Sequence, residues 1–267
     1  MQKKPYVLGL DMGGTNSVLG VVDARGHVLA RTSIKTQAFP DINDYVNALY
    51  DEAIKIVDSV GGMDLIRGIG AGVPICNYFN GYIQDAMNLP WQTVPFAQLM
   101  SDRFGIPCKI TNDANAAAMG EMTYGAARGM KNFIMITLGT GVARTAKEII
   151  SSTTKDTILR KLDIDAITSK DVYDAAEQGD EVAKEIFDFT GTILGQQLAD
   201  FIAFSAPEAI VLFGGLTKSG HWIKDPVEKA MNENVLPLWR NKVAVLFSDL
   251  KEADAAVLGA SALAWGD

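Results

Sequence analysis

Two short segments of the chain carry residues that could bind phosphate and move a proton. The first is Asp11-Met-Gly-Gly-Thr15, which directly follows an apolar run. Gly13 and Gly14 would let the backbone approach a phosphate closely and point N–H groups at it, and Thr15 adds a hydroxyl. A carboxylate such as Asp11 can hold Mg²⁺ through water. A glycine-containing hairpin turn without any ligand is an equally good interpretation of these residues.

The second segment precedes an alanine-rich stretch and begins with Asn112 and Asp113. Either side chain could simply cap a helix, which is the ordinary role of these residue types. In the alternative interpretation, Asp113 takes a proton from a substrate hydroxyl and Asn112 orients that substrate. Phosphoryl transfer needs little more from a protein than positioning, charge neutralisation and such a base.

Two further glycine turns follow apolar runs in the second half of the chain. One contains Gly139, Thr140 and Gly141, and the other contains Gly214 and Gly215. The first could form a second phosphate loop, and the second could lie against a flat ligand such as a nucleoside. Tight turns without a ligand explain both. The P-loop pattern is absent, and so is the glycine pattern of dinucleotide-binding proteins.

The elements that must position these turns alternate between strand and helix. Strands are predicted at 6–10, 17–22, 28–35, 66–73, 108–111, 132–138, 209–213 and 243–248, and helices at 41–60, 93–104, 113–125, 143–151, 169–178, 180–204, 225–235 and 253–265. His221 and Trp222 are expected in a loop. This alternation predicts an α/β architecture with a largely parallel sheet in each half. Only the first half opens with three antiparallel strands.

Composition limits the classes of function. The chain has 267 residues, 48% of them hydrophobic and 21% charged, which is typical of a soluble globular protein. Its net charge of −8 argues against nucleic-acid and anionic-membrane partners. Cys76, Cys108 and the two histidines match no zinc pattern. The first apolar run is too short for a signal peptide or a membrane span, so we expect a cytoplasmic protein with free thiols.

Taken together and in this order, the segments resemble the ROK family (repressor, open reading frame, kinase) of sugar kinases, especially bacterial glucokinases. The resemblance spans nearly the whole chain. It rests on the segments 11–15, 70–74, 88–91, 111–118 with 120–121, 138–141 and 213–215. It implies an actin-like (ribonuclease H-like) two-domain ATPase fold with ATP in the cleft between the domains. The domains would cover 1–125 and 126–267, and the last helix could pack back on the N-terminal domain.

The resemblance also implies a role for each matching residue. Asp113 corresponds to the catalytic base that deprotonates the sugar 6-hydroxyl, Asn112 to a sugar-binding neighbour, and Asp11 to the residue that holds Mg²⁺. The other matching residues would contact phosphate (Gly13, Gly14, Thr15, Gly139, Thr140, Gly141), adenosine (Gly214, Gly215) and sugar (Pro74, Asn77, Asn88). The implied ligands are ATP, Mg²⁺ and a sugar. A homodimer is compatible with the family, whose members often form dimers.

The chain departs from the family after its Gly-Thr-Gly segment. There the family continues through two more strands, a GELGH-type sugar-binding segment and a Cys-rich zinc segment, whereas here Val142 leads straight into Ala143–Lys147. We therefore expect a second domain trimmed of its antiparallel hairpin, no zinc site and weakened hexose binding. The strand at 132–138 would become a sheet edge, which we expect a helix or a second subunit to cover.

The function that these observations favour is ATP-dependent phosphorylation of a hexose such as glucose at its 6-hydroxyl. The alternative is a deletion variant or remnant that binds nucleotide but has lost sugar kinase activity. A nicotinamide-dependent oxidoreductase is a more distant alternative, since its glycine pattern is missing. The DNA-binding branch of the family is not expected, because only five residues precede Tyr6 and the net charge is acidic.

Overall fold

The computed structural model describes residues 4–139, 141–250 and 254–266. The chain divides into two compact units: unit 1 is Met1–Gly129 with Asp249–Asp267, and unit 2 is Met130–Ser248. The domain limits expected from the sequence, 1–125 and 126–267, stay a prediction. Among the described residues, no helix combines the length and the hydrophobicity that crossing a bilayer requires.

Unit 1 is built on a five-stranded mixed sheet. Its first three strands form an antiparallel meander. Strand β4 pairs parallel to β1, and β7 pairs parallel to β4, so the order across the sheet is β3-β2-β1-β4-β7. The remaining two strands pair as a short hairpin. The strands are β1 (Tyr6–Met12), β2 (Asn16–Asp23), β3 (Val28–Lys35), β4 (Ile66–Val73), β5 (Cys76–Asn77), β6 (Tyr82–Ile83) and β7 (Cys108–Asn112).

Two helices connect these strands, α1 (Ile42–Asp58) and α2 (Phe96–Phe104), and a third, α3 (Asp113–Tyr124), follows β7. The Asp41 side chain caps α1 by accepting a hydrogen bond from Asn43 N, and Gly105 ends α2 in the left-handed conformation. The apolar stripes of α1 and α2, including Tyr45 and Phe96, pack on one face of the sheet. This packing forms the main core of unit 1 and fixes the carboxyl ends of β1, β4 and β7.

Unit 2 has a three-stranded sheet in the order β10-β9-β8, with all strands parallel. Its elements are β8 (Phe133–Thr137), α4 (Gly141–Ser152), α5 (Ser169–Glu177), α6 (Glu181–Ser205), β9 (Ala209–Phe213), α7 (His221–Asn234) and β10 (Ala244–Phe247). Strand β8 leads into α4 with no strand between them and lies at an edge of the sheet. The predicted α/β class, with a second half trimmed of its antiparallel strands, is confirmed.

The last helix, α8 (Ala255–Ala262), belongs to unit 1. It lies so close to the sheet that a Cβ atom at Gly9 would be 2.2 Å from Val257 O and one at Gly70 would be 1.9 Å from Ala260 O. No larger residue fits at either strand position without moving the helix. These two glycines therefore let α8 and the sheet approach each other backbone to backbone.

The expectation that His221 and Trp222 lie in a loop is wrong. Helix α7 begins at His221 and continues through Pro226, which cannot donate a backbone hydrogen bond. Tertiary contacts offset this cost. The Trp222 indole donates to Glu177 Oε1 (2.6 Å), and a Cβ atom at Gly191 of α6 would be 2.6 Å from the Pro226 ring, so the ring packs where α6 has no side chain.

Candidate active site

The turn between β1 and β2 is held by side chains that follow β3. Within the turn, Gly13 N donates to Asn16 O (3.0 Å). Thr36 Oγ1 donates to Gly13 O (2.8 Å), and Gln37 Nε2 donates to Gly14 O (2.9 Å). The carbonyl groups of both glycines are therefore turned toward the segment after β3 and are held there.

The opposite side of this turn offers hydrogen-bond donors. The N–H groups of Gly14 and Thr15 have no acceptor among the residues that the structure describes. A Cβ atom at Gly14 would be 3.1 Å from Asn88, so the glycine lets the loop at 88 approach the turn. Gln37 also donates to Asn88 O (3.2 Å) and thereby joins the two segments. Two free, adjacent N–H groups on a fixed turn suit an anion such as a phosphate oxygen.

At the beginning of α3, Asn112 and Asp113 make different hydrogen bonds. Asn112 is the N-cap, and its Oδ1 accepts from Asn115 N (2.7 Å). Asp113 is exposed and in the first turn, where its Oδ1 accepts from Ala114 N (2.8 Å). Its second oxygen has no donor within the described part of the chain. Because Asn112 caps the helix, this oxygen of Asp113 is not engaged in capping.

Asp11 lies at the same end of the sheet as Asp113. Strand register aligns Asp11 with Gly72 on β4, and Gly72 with Thr111 on β7, two residues before Asp113. Gly72 lies beside the start of α3, since a Cβ atom there would be 4.0 Å from Asp113 Cα, an ordinary contact distance. Burial raises the pKa of Asp11 above its ordinary value of 3.8, and the negative charge of Asp113 raises it further. The two carboxylates are therefore electrostatic neighbours.

The residues expected to contact sugar follow β4 and belong to the loop that contains β5 and β6. Asn77 Oδ1 accepts from Phe79 N (2.9 Å) and so shapes this loop, while Pro74 is half-buried at the end of β4. Burial raises the pKa of the Cys76 thiol to about 11, with a further contribution from the charge of Asp113. Cys76 therefore lies near Asp113 as a neutral thiol at physiological pH.

Unit 2 contains its own cavity, of about 750 Å³, beside the turns that contain Gly139 and Gly215. Gly139 and Gly215 both line it, together with Leu138. Gly214 has a positive φ of 111°, and a Cβ atom there would be 2.4 Å from Leu138 O, so this position requires glycine. Gly141 is the first residue of α4, and Thr140 lies outside the described residues.

Several residues of these two sites were not singled out from the sequence. Thr36 and Gln37 match no motif, although a three-stranded meander necessarily brings the end of its third strand beside the turn between the first two. Lys170 and Tyr173 of α5 line the cavity of unit 2, and Lys170 forms an ion pair with Asp174. No signal in the sequence placed α5 beside Gly215, because that contact depends on tertiary packing.

Among the described residues, no group of three or more histidine, cysteine, aspartate or glutamate side chains could hold a metal ion. Both cysteines, Cys76 and Cys108, are free and half-buried. Burial raises the pKa of Cys108 to about 12.

Known proteins match this chain over nearly its whole length. The sequence model of the ROK family matches residues 7–145 and 147–266. The chain belongs to the ROK family. Its match to the family is interrupted only at residue 146, a few residues after the Gly-Thr-Gly segment.

Individual relatives align with nearly the whole of this ROK protein, and solved structures share its fold. Glucokinase from Streptomyces coelicolor is 27% identical over 314 aligned positions, which cover 96% of each chain. The structure of a ROK family glucokinase from Streptomyces griseus in complex with glucose and AMPPNP is 26% identical, with a TM-score of 0.68, and covers 97% of this chain and 98% of that one. A protein from Cytophaga hutchinsonii, 23% identical, has the same fold with a TM-score of 0.84 and covers 98% of this chain and 100% of that one.

The alignment also shows a difference in chain length. The match to the Streptomyces coelicolor glucokinase spans 314 positions, whereas this chain has 267 residues in total, so several dozen positions have no counterpart here. This agrees with an internal segment that the relative has and this ROK protein lacks.

Proposed function

We propose that this chain is an ATP-dependent sugar kinase that transfers the γ-phosphoryl group of ATP to the 6-hydroxyl of a hexose such as glucose. The observation that carries the proposal is the free carboxylate oxygen of Asp113, beside Asp11 and on the same unit as the turn whose Gly14 and Thr15 N–H groups are free. Glucokinases among the relatives, one of them solved with glucose and AMPPNP, support the assignment.

In this mechanism Asp113 acts as the general base. As the sugar O6 attacks the γ-phosphorus, its proton passes to the free oxygen of Asp113. The bond from O6 to phosphorus forms, the bond from phosphorus to the oxygen bridging the β- and γ-phosphates breaks, and ADP leaves with the bonding electrons. The hydrogen bond from Ala114 N fixes the orientation of the carboxylate, and we assign Asn112, which fixes the start of α3, as a sugar-binding neighbour.

The two neighbouring carboxylates fit a divalent cation. The charge of Asp113 opposes ionisation of Asp11, and a bound divalent cation would offset that repulsion. Mg²⁺ is commonly held by one or two carboxylates together with waters and phosphate oxygens, which matches this donor set. We assign Asp11 as the residue that would hold Mg²⁺ through water. When bound, the ion supplies neutralisation of phosphate charge.

In this proposal, each unit binds part of the nucleotide. Gly13, Gly14 and Thr15 would contact phosphate in unit 1, and Gly139, Thr140 and Gly141 would do so in unit 2. Gly214 and Gly215 would lie against adenosine. The cavity in unit 2 has a volume of about 750 Å³, within the range of ordinary small-molecule sites, and the free N–H groups in unit 1 are suitable donors.

A second candidate function is nucleotide binding without sugar turnover. Strand β8 ends at Thr137 and α4 begins at Gly141, so the GELGH-type segment that would bring a glutamate and a histidine to a sugar site is missing at this point of the chain. Pro74, Asn77, Asn88 and Asn112 are the sugar contacts that remain in this proposal. Since a polar pocket owes its selectivity to paired hydrogen-bonding groups, hexose affinity should be low.

A coupled assay of ADP release from Mg²⁺-ATP, across a panel of hexoses, tests both candidates. Sugar-dependent turnover that falls by roughly 10²–10⁴-fold in Asp113→Asn supports the kinase, because this is the usual contribution of a general base. Asp44→Asn is the matched control: Asp44 is also an exposed aspartate in the first turn of a helix, and its substitution should leave turnover unchanged.

A parallel titration with a fluorescent ATP analogue separates the two candidates. Binding of the analogue without turnover on any sugar would favour the second candidate. Turnover that is equal in the parent chain and in Asp113→Asn would contradict the role assigned to Asp113. Absence of both binding and turnover would contradict both proposals.

A further inference from the structure

The outer edge of β8 presents unused backbone hydrogen-bonding groups. At the two ends of the strand, Glu208 N donates to Asn132 O (2.7 Å) and Leu138 N donates to Phe213 O (2.7 Å). Polar groups alternate between the two sides of a strand, so even-numbered residues of β8 direct theirs toward β9. Phe133, Met135 and Thr137 therefore direct their N–H and C=O groups away from β9, where no described strand pairs with them.

The sequence of β8 contains none of the features that usually prevent pairing at an edge. The strand reads Phe-Ile-Met-Ile-Thr, with no charged residue and no proline, and its register with β9 is regular. Its first four side chains are half-buried. An edge of this kind is a ready template for another strand.

An apolar stripe on α6 runs alongside this edge. Near the start of β8, Asn132 Nδ2 donates to Ser205 O (2.9 Å) at the C-terminal end of α6. Near the end of β8, Thr137 lines a cavity of about 480 Å³ together with residues from the first half of α6. The helix is therefore antiparallel to the strand. Four large side chains form the exposed stripe of α6: Phe189 (51% exposed), Ile193 (48%), Phe201 (44%) and Phe204 (92%).

We propose that the edge of β8 and the exposed stripe of α6 form an interface with a second copy of this chain. Two β8 strands would pair antiparallel about a two-fold axis through Met135. Each Met135 would then face its counterpart, and Phe133 of one copy would face Thr137 of the other. This joins the two sheets into one of six strands, in the order β10-β9-β8-β8-β9-β10, and brings the two α6 stripes together across the axis.

Two properties favour a second copy over an unrelated partner. An isologous interface requires a self-complementary surface, and β8 has one: Ile134 and Ile136 lie symmetrically about Met135, and the outward polar groups are those of residues 133, 135 and 137. Area is the second property. With each aromatic side chain contributing about 150–250 Å² when fully enclosed, the stripes and strands of two copies would bury on the order of 1,000 Å², enough for a specific interface.

Sedimentation across a range of concentrations tests the proposal without reference to kinase activity. The parent chain should be a dimer, and the double substitution Ile193→Glu with Phe204→Glu should raise its dissociation constant by roughly 100-fold or more. Both residues are exposed, so the monomer should still fold, which circular dichroism checks. Leu238→Glu is the control: Leu238 is 55% exposed and precedes β10, the strand at the opposite edge of the sheet, and its substitution should leave the dimer unchanged.

Cross-linking with a short bifunctional thiol reagent tests the pairing register. Met135→Cys should give a covalent dimer linked through residue 135, identified by peptide mapping, because these residues would be about 5.5 Å apart. Phe133→Cys should not link to itself, since its two copies would be separated by roughly 13 Å. A monomeric parent chain, a dimer that the α6 double substitution leaves intact, or efficient linking through residue 133 would each overturn the proposal.

Discussion

The two glycine turns that follow the first strand of each unit differ in what holds them. In unit 1, the carbonyl groups of Gly13 and Gly14 are fixed by Thr36 and Gln37, which follow the third strand of the meander. In unit 2, apart from Gly139 and its neighbours in sequence, no atom of the described residues lies within 4 Å of a Cβ atom built on Gly139. The first turn is held by a neighbouring segment, and the second is open at this position.

The difference shows what an antiparallel meander contributes besides its strands. Thr36 N also donates to Thr15 O (2.9 Å), so the end of β3 closes against the β1–β2 turn. In unit 2, β8 passes directly to α4, so among the described residues no antiparallel meander brings a strand end against the turn. A glycine turn after a buried strand can therefore be present without a neighbouring segment that holds its carbonyl groups.

The largest effect on stability should come from removing the hydroxyl that holds the first turn. Thr36 is fully buried, and its Oγ1 contacts both Gly13 O and Ser17 Oγ (2.8 Å each). Thr36→Val would remove the side-chain donor to Gly13 O and one of the two partners of Ser17 Oγ, which keeps Tyr45 Oη (2.6 Å), at a cost of about 1–3 kcal/mol in the free energy of unfolding. Urea denaturation measures this cost. Thr36→Ser, which keeps the hydroxyl, should retain most of the stability, and equal losses in both variants would show that packing of the methyl group decides the effect.

A smaller effect is expected from placing the same methyl group on each turn. In Gly14→Ala the new Cβ atom would be 3.1 Å from Asn88, so the loop at 88 must shift, at a cost of about 1 kcal/mol. Gly139→Ala meets no atom and should change the free energy of unfolding by less than about 0.5 kcal/mol. Thermal and urea unfolding of both variants provide the comparison. A cost at Gly139 equal to that at Gly14 would contradict the claim that the second turn is open.

The smallest effects should appear in the pH dependence of stability, with opposite signs in the two units. Burial and Asp113 raise the pKa of Asp11, so its contribution to stability is lost as the pH rises above its ordinary value of 3.8. Glu208 Oε1 accepts from Lys131 N and Asn132 N, which lowers the pKa of Glu208. Its contribution is present above the ordinary value of 4.5 and is lost as the pH falls.

Urea unfolding at a series of pH values checks both signs. Asp11→Asn should gain stability relative to the parent chain as the pH rises from 4 toward neutrality. Glu208→Gln should be less stable than the parent chain at neutral pH, and the difference should disappear in acid. A loss of stability in Asp11→Asn at neutral pH would contradict the inferred repulsion between Asp11 and Asp113.

Local sequence patterns were sufficient for most of the fold. Strands Val28–Lys35 and Ile66–Val73 have the predicted limits, because apolar periodicity and the flanking turn residues define both. The beginning of α7 could not be predicted, since proline normally ends a helix and only the packing of Pro226 against Gly191 makes this one tolerable. The approach of α8 to Gly9 and Gly70 was likewise not visible, because it joins residues more than 180 positions apart.

The candidate site was predictable where a residue type limits the chemistry. Asp113, Asp11 and the glycines could be named because carboxylates and flexible backbone are what phosphoryl transfer needs. The sequence left open whether Asn112 or Asp113 caps α3, and only the hydrogen bond from Asn115 N to Asn112 Oδ1 assigns that role. Thr36 and Gln37 were missed because ordinary polar residues become important only through the carbonyl groups that they contact.

The return of α8 to unit 1 has a consequence for synthesis on the ribosome. Unit 2 is continuous in sequence and emerges complete before residues 255–262 leave the exit tunnel. Until then, the sheet face at Gly9 and Gly70 lacks the helix that covers it. The half of the protein that is translated first is thus the half that finishes folding last, and during that interval a nascent chain exposes a glycine-lined surface that chaperones could occupy.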